Sequence, residues 1–242
     1  MQASVRPRPI NPWLYLGIPF VIVMALILLE WTSLDMDVAN LFYDPVASQF
    51  IGRHSYLLET ILHDRVKQGV IVFGLLAVVG FALSFFWQRL LGWRRELGCL
   101  VLALGLSTAF VTPLKKVTQV QCPWSLTQFG GKETYSKLLE PRPATDKPGL
   151  CWPGGHAATG FCLFGLFFML RDRRPRLARV ALGVAFVAGS VLSIGRMIQG
   201  AHFLSHNVWT AVFCWLIGLG SYYLILYRRD LVEAPAIERN VA

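Results

Sequence analysis

Basic and histidine side chains of a kind that handles phosphate cluster in the stretch GRMIQGAHFLSHN, where Arg196 is followed by His202 and His206. Lysine and arginine bind phosphate oxygens, and arginine does so through a bidentate fork. A histidine with a free ring nitrogen can attack phosphorus, and a second histidine can protonate the leaving oxygen. These residue types therefore indicate phosphoryl transfer through a phosphohistidine.

Two other stretches carry the remaining groups that such a site needs. KKVTQVQCPW contains Lys115, and WPGGHAATG places Gly154 and Gly155 directly before His156. Backbone N–H groups at a helix start, together with the helix dipole, favour a bound anion. None of the three stretches contains an acidic cluster that could hold Mg²⁺, so we expect neither a metal nor another cofactor.

Long apolar segments must position these groups. The chain has 242 residues, 55% of them hydrophobic, and six apolar segments approach the roughly 20 residues that cross a bilayer as a helix. They cover residues 12–31, 68–88, 97–114, 155–170, 178–195 and 208–227. The sequence predicts an all-α, polytopic membrane helical bundle of about six transmembrane helices. We also expect short interfacial helices within 32–67 and a single domain over residues 1–242.

Arginines are concentrated in the loops on one predicted side of the membrane. They follow the second and fourth apolar segments and flank the ends of the chain: Arg6, Arg8, Arg89, Arg94, Arg95, Arg171, Arg173, Arg174, Arg176, Arg179, Arg228 and Arg229. The positive-inside rule places this side in the cytoplasm and the three motif-bearing stretches at the opposite face. The net charge of +9 thus reflects topology, and we expect no nucleic-acid partner.

The three stretches resemble the signature motifs of the type 2 phosphatidic acid phosphatase (lipid phosphate phosphatase) superfamily, which are K-x6-R-P, P-S-G-H and S-R-x5-H-x3-D. The resemblance covers residues 115–209. It implies that His202 is the nucleophile and that His156 protonates the leaving group. It also implies that Lys115, Arg196 and the glycine amides before His156 bind phosphate.

Several positions depart from the family pattern. Cys122 stands in place of the first-motif arginine, and Gly154 and Gly195 replace the two serines. His206 stands where an aspartate would hold the imidazole of His202, so His206 either orients the nucleophile or is an ordinary interfacial residue. Candidates for the missing groups are Arg142 as a phosphate-binding arginine and, as acceptor, Asp146, Glu133, Glu140 or a backbone carbonyl.

The resemblance implies a metal-independent phosphatase that acts on a lipid phosphate or pyrophosphate, such as lipid A phosphate or undecaprenyl pyrophosphate, at the periplasmic face of the bacterial inner membrane. Two alternatives stay open: a catalytically weakened lipid-phosphate binder or transporter, and a lipid phosphotransferase. Cys122 and Cys151 share one polar loop and could form a disulfide if that loop is extracytoplasmic. No feature of the sequence selects an oligomeric state.

Overall fold

Helices make up most of the protein, as the sequence predicts. The structure is a computed structural model that describes residues 7–145 and 147–227. The α-helices are α1 (Ile18–Leu29), α2 (Leu34–Asn40), α3 (Val66–Leu83), α4 (Gln88–Leu91), α5 (Arg94–Thr118), α6 (Gly155–Phe161), α7 (Phe164–Leu170), α8 (Pro175–Ile198) and α9 (Leu204–Ile225). π-Helical segments at Trp13–Gly17 and Leu57–Arg65 lead into α1 and α3, and short 3₁₀ turns lie at Pro123–Ser125 and Thr127–Phe129. Four residues used in the sequence argument lie outside the described part: Arg6, Asp146, Arg228 and Arg229.

Within the described residues, four helices are long and apolar enough to cross a membrane. These are α5, α8, α9 and the continuous helix Leu57–Leu83 that contains α3. The helix Trp13–Leu29 and α2 bend by 81° at their junction and together make a fifth candidate span. The fourth predicted segment, Gly155–Leu170, is apolar and helical but shorter. The prediction of an all-α, multi-pass membrane bundle is confirmed.

One end of the bundle, which we call the arginine end, gathers the connections rich in arginine. Arg173 pairs with Glu96 at 2.5 Å, which joins the end of α7 to the start of α5. Tyr222 near the end of α9 donates a hydrogen bond to Asp172 at 2.7 Å, and the backbone N–H of Arg8 donates to the same carboxylate at 2.9 Å. The start of the first helix and the end of the last one therefore lie together.

The opposite end, which we call the motif end, gathers the three motif-bearing stretches. There α5 and α8 end, and α6 and α9 begin. Asp35 on α2 accepts a hydrogen bond from the N–H of Ser205 at the start of α9, at 2.9 Å. Leu58 lies next to Gly195, where a Cβ would be 3.5 Å from its methyl group. All six predicted segments thus run between the same two ends, including the short helix Gly155–Leu170.

Helices α6 and α8 cross with their backbones in direct contact. A Cβ on Gly160 would lie 2.5 Å from the Cα of Gly189, and a Cβ on Gly189 would lie 2.2 Å from the ring of Phe161. Small residues permit this close approach of membrane helices. Because Gly160 lies one turn from His156 and Gly189 lies two turns from Arg196, the contact fixes both helices near the motif end.

The segment between the first two spans differs from the prediction in one respect. The stretch HSYLLETILHD, expected as a separate interfacial helix, is mostly the beginning of the continuous helix Leu57–Leu83. Before it, Tyr43–Asp44 (β1) pairs with Gln49–Phe50 (β2) as a short antiparallel hairpin. Phe50 is buried in a cluster with Phe129 and Phe203, which ties the hairpin to the motif end.

Candidate active site

The end of α5 and the start of α6 are held together by the polar loop between them. The N–H of Cys151 donates to the carbonyl of Val120 at 3.0 Å. Cys151 also forms a disulfide with Cys122, with the Cα atoms 5.2 Å apart. The pairing that the sequence left open is therefore present. Because the two sides of the loop are joined here, Lys115 on α5 and His156 on α6 lie at one place.

A tight turn between α8 and α9 carries the second pair of predicted site residues. Gly200 has a φ of +72°, and a Cβ there would lie 2.2 Å from the ring of Phe50, so only glycine fits. The carbonyl of Gly200 accepts a hydrogen bond from the N–H of Trp124 at 2.9 Å, which attaches the CPW segment to the turn. Arg196 lies in the last turn of α8, and His202 lies in the connection before α9.

Four of the predicted residues come together at the motif end. The ring centroids of His156 and His202 are 6.4 Å apart. The Nζ of Lys115 lies 3.3 Å from the position that a Cβ on Gly155 would take, and the charges of Lys115 and Arg196 both act on His202. One phosphoryl group could therefore contact both rings at once.

His202 is buried in a cationic environment. Burial lowers the pKa of His202 well below its ordinary value of 6.5, and the neighbouring positive charges, Lys115 foremost, lower it further. The imidazole is therefore neutral at pH 7. A neutral ring has the free nitrogen lone pair that a nucleophile needs.

The backbone N–H of Gly154 donates its hydrogen bonds within the protein. Its N–H donates to the Oγ1 of Thr210 at 2.8 Å, and the carbonyl of His206 lies 3.3 Å from the same nitrogen. These bonds count against the prediction that Gly154 binds phosphate and leave Gly155 as the candidate. A Cβ on Gly154 would lie 2.6 Å from the Oδ1 of Asn207, so this site has little room for the serine of the family motif.

Two residues that support Arg196 were missed in the sequence. The Oε1 of Gln199 accepts a hydrogen bond from the Nη1 of Arg196 at 2.8 Å. The ring of Trp124 has its centroid 5.6 Å from the guanidinium carbon of Arg196. Both contacts orient the guanidinium. The spacing of Gln199 three residues after Arg196 is the signal that could have indicated the first contact.

The guanidinium of Arg142 is bound by its own loop and by the end of α5. Its Nε donates to the carbonyl of Thr118 at 2.8 Å, and its two terminal nitrogens donate to Ser136 Oγ at 2.8 Å and to the carbonyls of Lys137 at 2.5 Å and Leu138 at 2.6 Å. Nearly all of the guanidinium donors are therefore taken by the loop and by the end of α5. Arg142 holds the loop in place, which counts against its proposed role as a phosphate ligand.

No carboxylate acts on His202 in the described part of the chain. The charged groups that act on His202 there are cations and histidines, which counts against Glu133 and Glu140 as the acceptor. Asp146 lies outside the described residues. The Nδ1 atoms of His202 and His206 both lack a hydrogen-bond partner among the residues described, and the ring centroids are 6.0 Å apart. The orienting role of His206 stays a prediction. No group of three His, Cys, Asp or Glu side chains within these residues could hold a metal ion.

Asp35 is a further residue that the sequence argument missed. Its carboxylate accepts hydrogen bonds from both the N–H and the hydroxyl of Ser205 in the first turn of α9. A carboxylate there satisfies an unpaired helix N–H and interacts favourably with the helix dipole. Asp35 thus caps α9 from another element and fixes the start of the helix that follows His202. No motif or spacing signals this contact.

An apolar groove of about 580 Å³ leads away from these residues between α3 and α5. The part of the groove at the motif end includes Lys115, Gly155 and His156. The remaining lining residues are mostly apolar: Lys67, Val70, Ile71, Gly74, Leu75, Val78, Val101, Leu104, Gly105, Thr108, Val111, Thr112, Ala158, Thr159 and Cys162. Its volume lies in the range of ordinary ligand sites.

Comparison with known families agrees with this geometry. A family model described as the PAP2 superfamily matches residues 96–230, more than half of the chain. The chain belongs to the PAP2 superfamily. The resemblance carried by the three motifs is therefore confirmed, and the PAP2 match includes Lys115, His156, Arg196 and His202.

Two characterised proteins are similar to this PAP2 chain. A lipid A 4′-phosphatase of Francisella tularensis subsp. novicida (strain U112) is 29% identical over 206 residues, which cover 83% of this chain and 90% of that protein. The crystal structure of a transmembrane PAP2-type phosphatidylglycerolphosphate phosphatase from Bacillus subtilis matches with a TM-score of 0.50 at 17% identity, covering 85% of this chain and 94% of that one. The second match shows a shared fold. The protein is a multi-pass bacterial membrane protein of a lipid phosphatase family.

Proposed function

We propose that this protein hydrolyses a lipid phosphate through a covalent phosphohistidine on His202. The observation that carries the proposal is the approach of His156 and His202 to 6.4 Å beside Lys115 and Arg196. The four residues come from three separate stretches of the chain, and no structural need requires two histidines and two cations in one place.

In the first step, a ring nitrogen of His202 attacks phosphorus. A P–N bond forms as the P–O bond to the lipid breaks, and protonated His156 gives its proton to the departing oxygen. In the second step, water attacks the phosphohistidine while neutral His156 accepts a proton from that water. The P–N bond breaks, inorganic phosphate leaves, and both histidines return to their starting states.

Fixed positive charge stabilises the transition state. Lys115 and Arg196 bind the oxygens of the transferred phosphoryl group, together with the N–H of Gly155 at the start of the helix that carries His156. Gln199 holds the guanidinium of Arg196 in place by the 2.8 Å hydrogen bond. These groups fill the role that a divalent cation has in other phosphatases, so we propose that the reaction needs no metal and that EDTA leaves the rate unchanged.

The site faces the periplasm, with both ends of the chain in the cytoplasm. Two observations at opposite ends of the bundle support this orientation. The Cys122–Cys151 disulfide lies at the motif end, and disulfides persist in oxidising compartments. Arg94, Arg171 and Arg173 lie at the other end, as the positive-inside rule requires for a cytoplasmic face.

The substrate carries its phosphate on a hydrophobic anchor. The groove between α3 and α5 has cationic residues near the motif end and an apolar lining below, which suits an anionic head with a hydrocarbon tail. The relative at 29% identity is named a lipid A 4′-phosphatase, and we propose lipid A phosphate as the first substrate to test. The other three candidate substrates to test are undecaprenyl pyrophosphate, phosphatidylglycerol phosphate and phosphatidic acid.

The experiment uses ³²P-labelled lipids from these four classes with the detergent-solubilised protein. We expect release of labelled phosphate and, after rapid quenching, an acid-labile label on His202. His202→Ala should lose both signals, and His202→Ala that still releases phosphate would refute the mechanism. Transfer of the label to a second lipid, rather than to water, would identify a phosphotransferase.

A lipid-phosphate binder is the second candidate, and the lack of a carboxylate beside His202 in the described residues favours it. A nucleophile without that partner is less activated. A binder would retain all four lipids without turnover in the same assay, and His202→Ala would not change the retention.

A further inference from the structure

Two glycines border open space in the apolar part of the groove between α3 and α5. A Cβ on Gly74 or on Gly105 would meet no other atom within 4 Å. Both residues line the groove, one from each helix. Gly160 and Gly189, by contrast, are needed for close helix contact. Packing within the described structure therefore gives no reason for glycine at positions 74 and 105.

The glycines lie at a depth that suits one hydrocarbon chain. Gly105 is ten residues before Lys115 on the same helix, which is a rise of about 15 Å. This distance is half of the roughly 30 Å hydrocarbon thickness of a bilayer, and so about the depth of one leaflet. Lys67 and Lys115 line the part of the groove nearer the motif end, where α3 begins and α5 ends. The groove thus has positive charge near the motif end and an apolar lining toward the arginine end.

We propose that an acyl chain of the substrate lies in this groove and that Gly74 and Gly105 determine the chain length that the enzyme accepts. With the phosphate at Lys115, a long chain passes between the two glycines, whereas a short chain ends above them. A side chain at either position fills the space that a long chain needs. This inference rests on the proposed lipid phosphatase function and names the part of the site that selects among its substrates.

The kinetic test compares dioleoyl with dihexanoyl phosphatidic acid as substrates of Gly74→Leu and Gly105→Leu. We expect the ratio of kcat/KM for the long chain over the short chain to fall at least about tenfold, through KM. The matched control is Gly183→Leu on α8, because Gly183 also borders open space but does not line the groove. Its ratio should equal that of the wild type. An equal fall on both substrates, or the same change in Gly183→Leu, would overturn the proposal.

A binding test keeps the groove separate from the chemistry. Phosphatidic acid with a diazirine on its acyl chain is photolysed with His202→Ala, and the labelled peptides are identified by mass spectrometry. We expect labels within residues 70–78 and 101–108, and loss of these labels when Gly74→Leu or Gly105→Leu is added. Labels elsewhere alone would refute the groove. If the labels lie within these two ranges but the wild type shows no turnover, the proposed phosphatase function is wrong and the lipid groove is retained.

Discussion

The ammonium group of Lys115 lies against the Cα of Gly155, 3.3 Å from the position that a Cβ would take. Lys115 is near the end of α5 and Gly155 begins α6, so the contact places a cation beside the first backbone N–H groups of the helix that carries His156. A phosphate at this position would meet a side-chain donor and backbone donors together. Glycine at position 155 leaves the space that the lysine head group uses.

Replacement of Lys115 tests this contact with a matched neighbour as control. Lys115→Gln removes the charge at the site, and we expect kcat/KM to fall about 100-fold because a preorganised donor to the transition state is lost. Lys116 is the adjacent residue but is exposed. Lys116→Gln should retain wild-type activity in the same phosphate-release assay. An equal fall of kcat/KM in the two variants would contradict a specific phosphate contact of Lys115. It would indicate instead that both lysines anchor the helix end at the membrane surface.

The roles of the two histidines can be separated by the leaving group. p-Nitrophenolate leaves without a proton, so His156→Ala should lose much less activity on p-nitrophenyl phosphate than on a lipid phosphate. His202→Ala should be inactive on both, since no other residue forms the P–N bond. We would compare kcat/KM on the two substrates, because this ratio reports the first step and not the hydrolysis of the phosphohistidine that both substrates share. A His156→Ala variant that loses the same factor on both substrates would contradict its role as the acid.

The pH profile reports the protonation of His202. Its pKa lies below 6.5 because of burial and nearby cations, so the neutral nucleophile persists as the pH falls through 6.5 and is lost only at lower pH. The acid limb of kcat/KM should lie below pH 6.5 after correction for the second ionisation of the substrate phosphate, at about 6. His206→Asp adds a carboxylate and should shift this limb to higher pH. His206→Asn adds no charge and should leave the acid limb where it is. Identical pH profiles for His206→Asp and His206→Asn would contradict the prediction that position 206 orients His202.

Arg142 should matter for stability more than for catalysis. Arg142→Gln removes four hydrogen bonds, each worth about 1 kcal/mol. At roughly 2–4 °C per kcal/mol for a chain of this size, we expect Tm to fall by roughly 8–16 °C. The remaining folded protein should keep a kcat/KM near that of the wild type at low temperature. A loss comparable to that of Lys115→Gln, with unchanged Tm, would restore Arg142 as a phosphate ligand.

The cysteines test both the loop and the orientation. Cys122 and Cys151 should resist a membrane-impermeant maleimide in intact cells with permeabilised outer membranes until a reductant is added. Labelling after reduction should then occur from the periplasmic side. The other three cysteines are buried and free, and they supply the unlabelled background. Immediate labelling would contradict the disulfide, and labelling only in inverted vesicles would contradict the orientation.

Hydropathy predicted the helical segments because a bilayer requires long apolar runs. It failed at residues 57–67, where Glu59, Asp64 and Lys67 lower the hydropathy although the helix continues through them. The convergence of Lys115, His156, Arg196 and His202 could be predicted since each lies at the end of a segment and the motif spacing fixes their order. Their distances could not, because these depend on how the helices pack.

The supporting residues were beyond the reach of sequence patterns for different reasons. Asp35 reaches α9 from a distant element, and no periodicity connects it with Ser205. Arg142 was proposed to replace the missing first-motif arginine, but carbonyl groups of its loop and of the end of α5 take most of its donors. For Gly154, the sequence showed a glycine before a helix but not the hydroxyl of Thr210 that accepts its N–H.

The contact between Gly160 and Gly189 has a mechanical consequence. No side chain separates Gly160 from Gly189, so the spacing between His156 and Arg196 depends on two main chains in direct contact. Rotamer changes and thermal repacking have little influence on a distance of that kind. A single methyl group inserted there would push α6 and α8 apart. It would change the distance between His156 and Arg196 without replacing either residue.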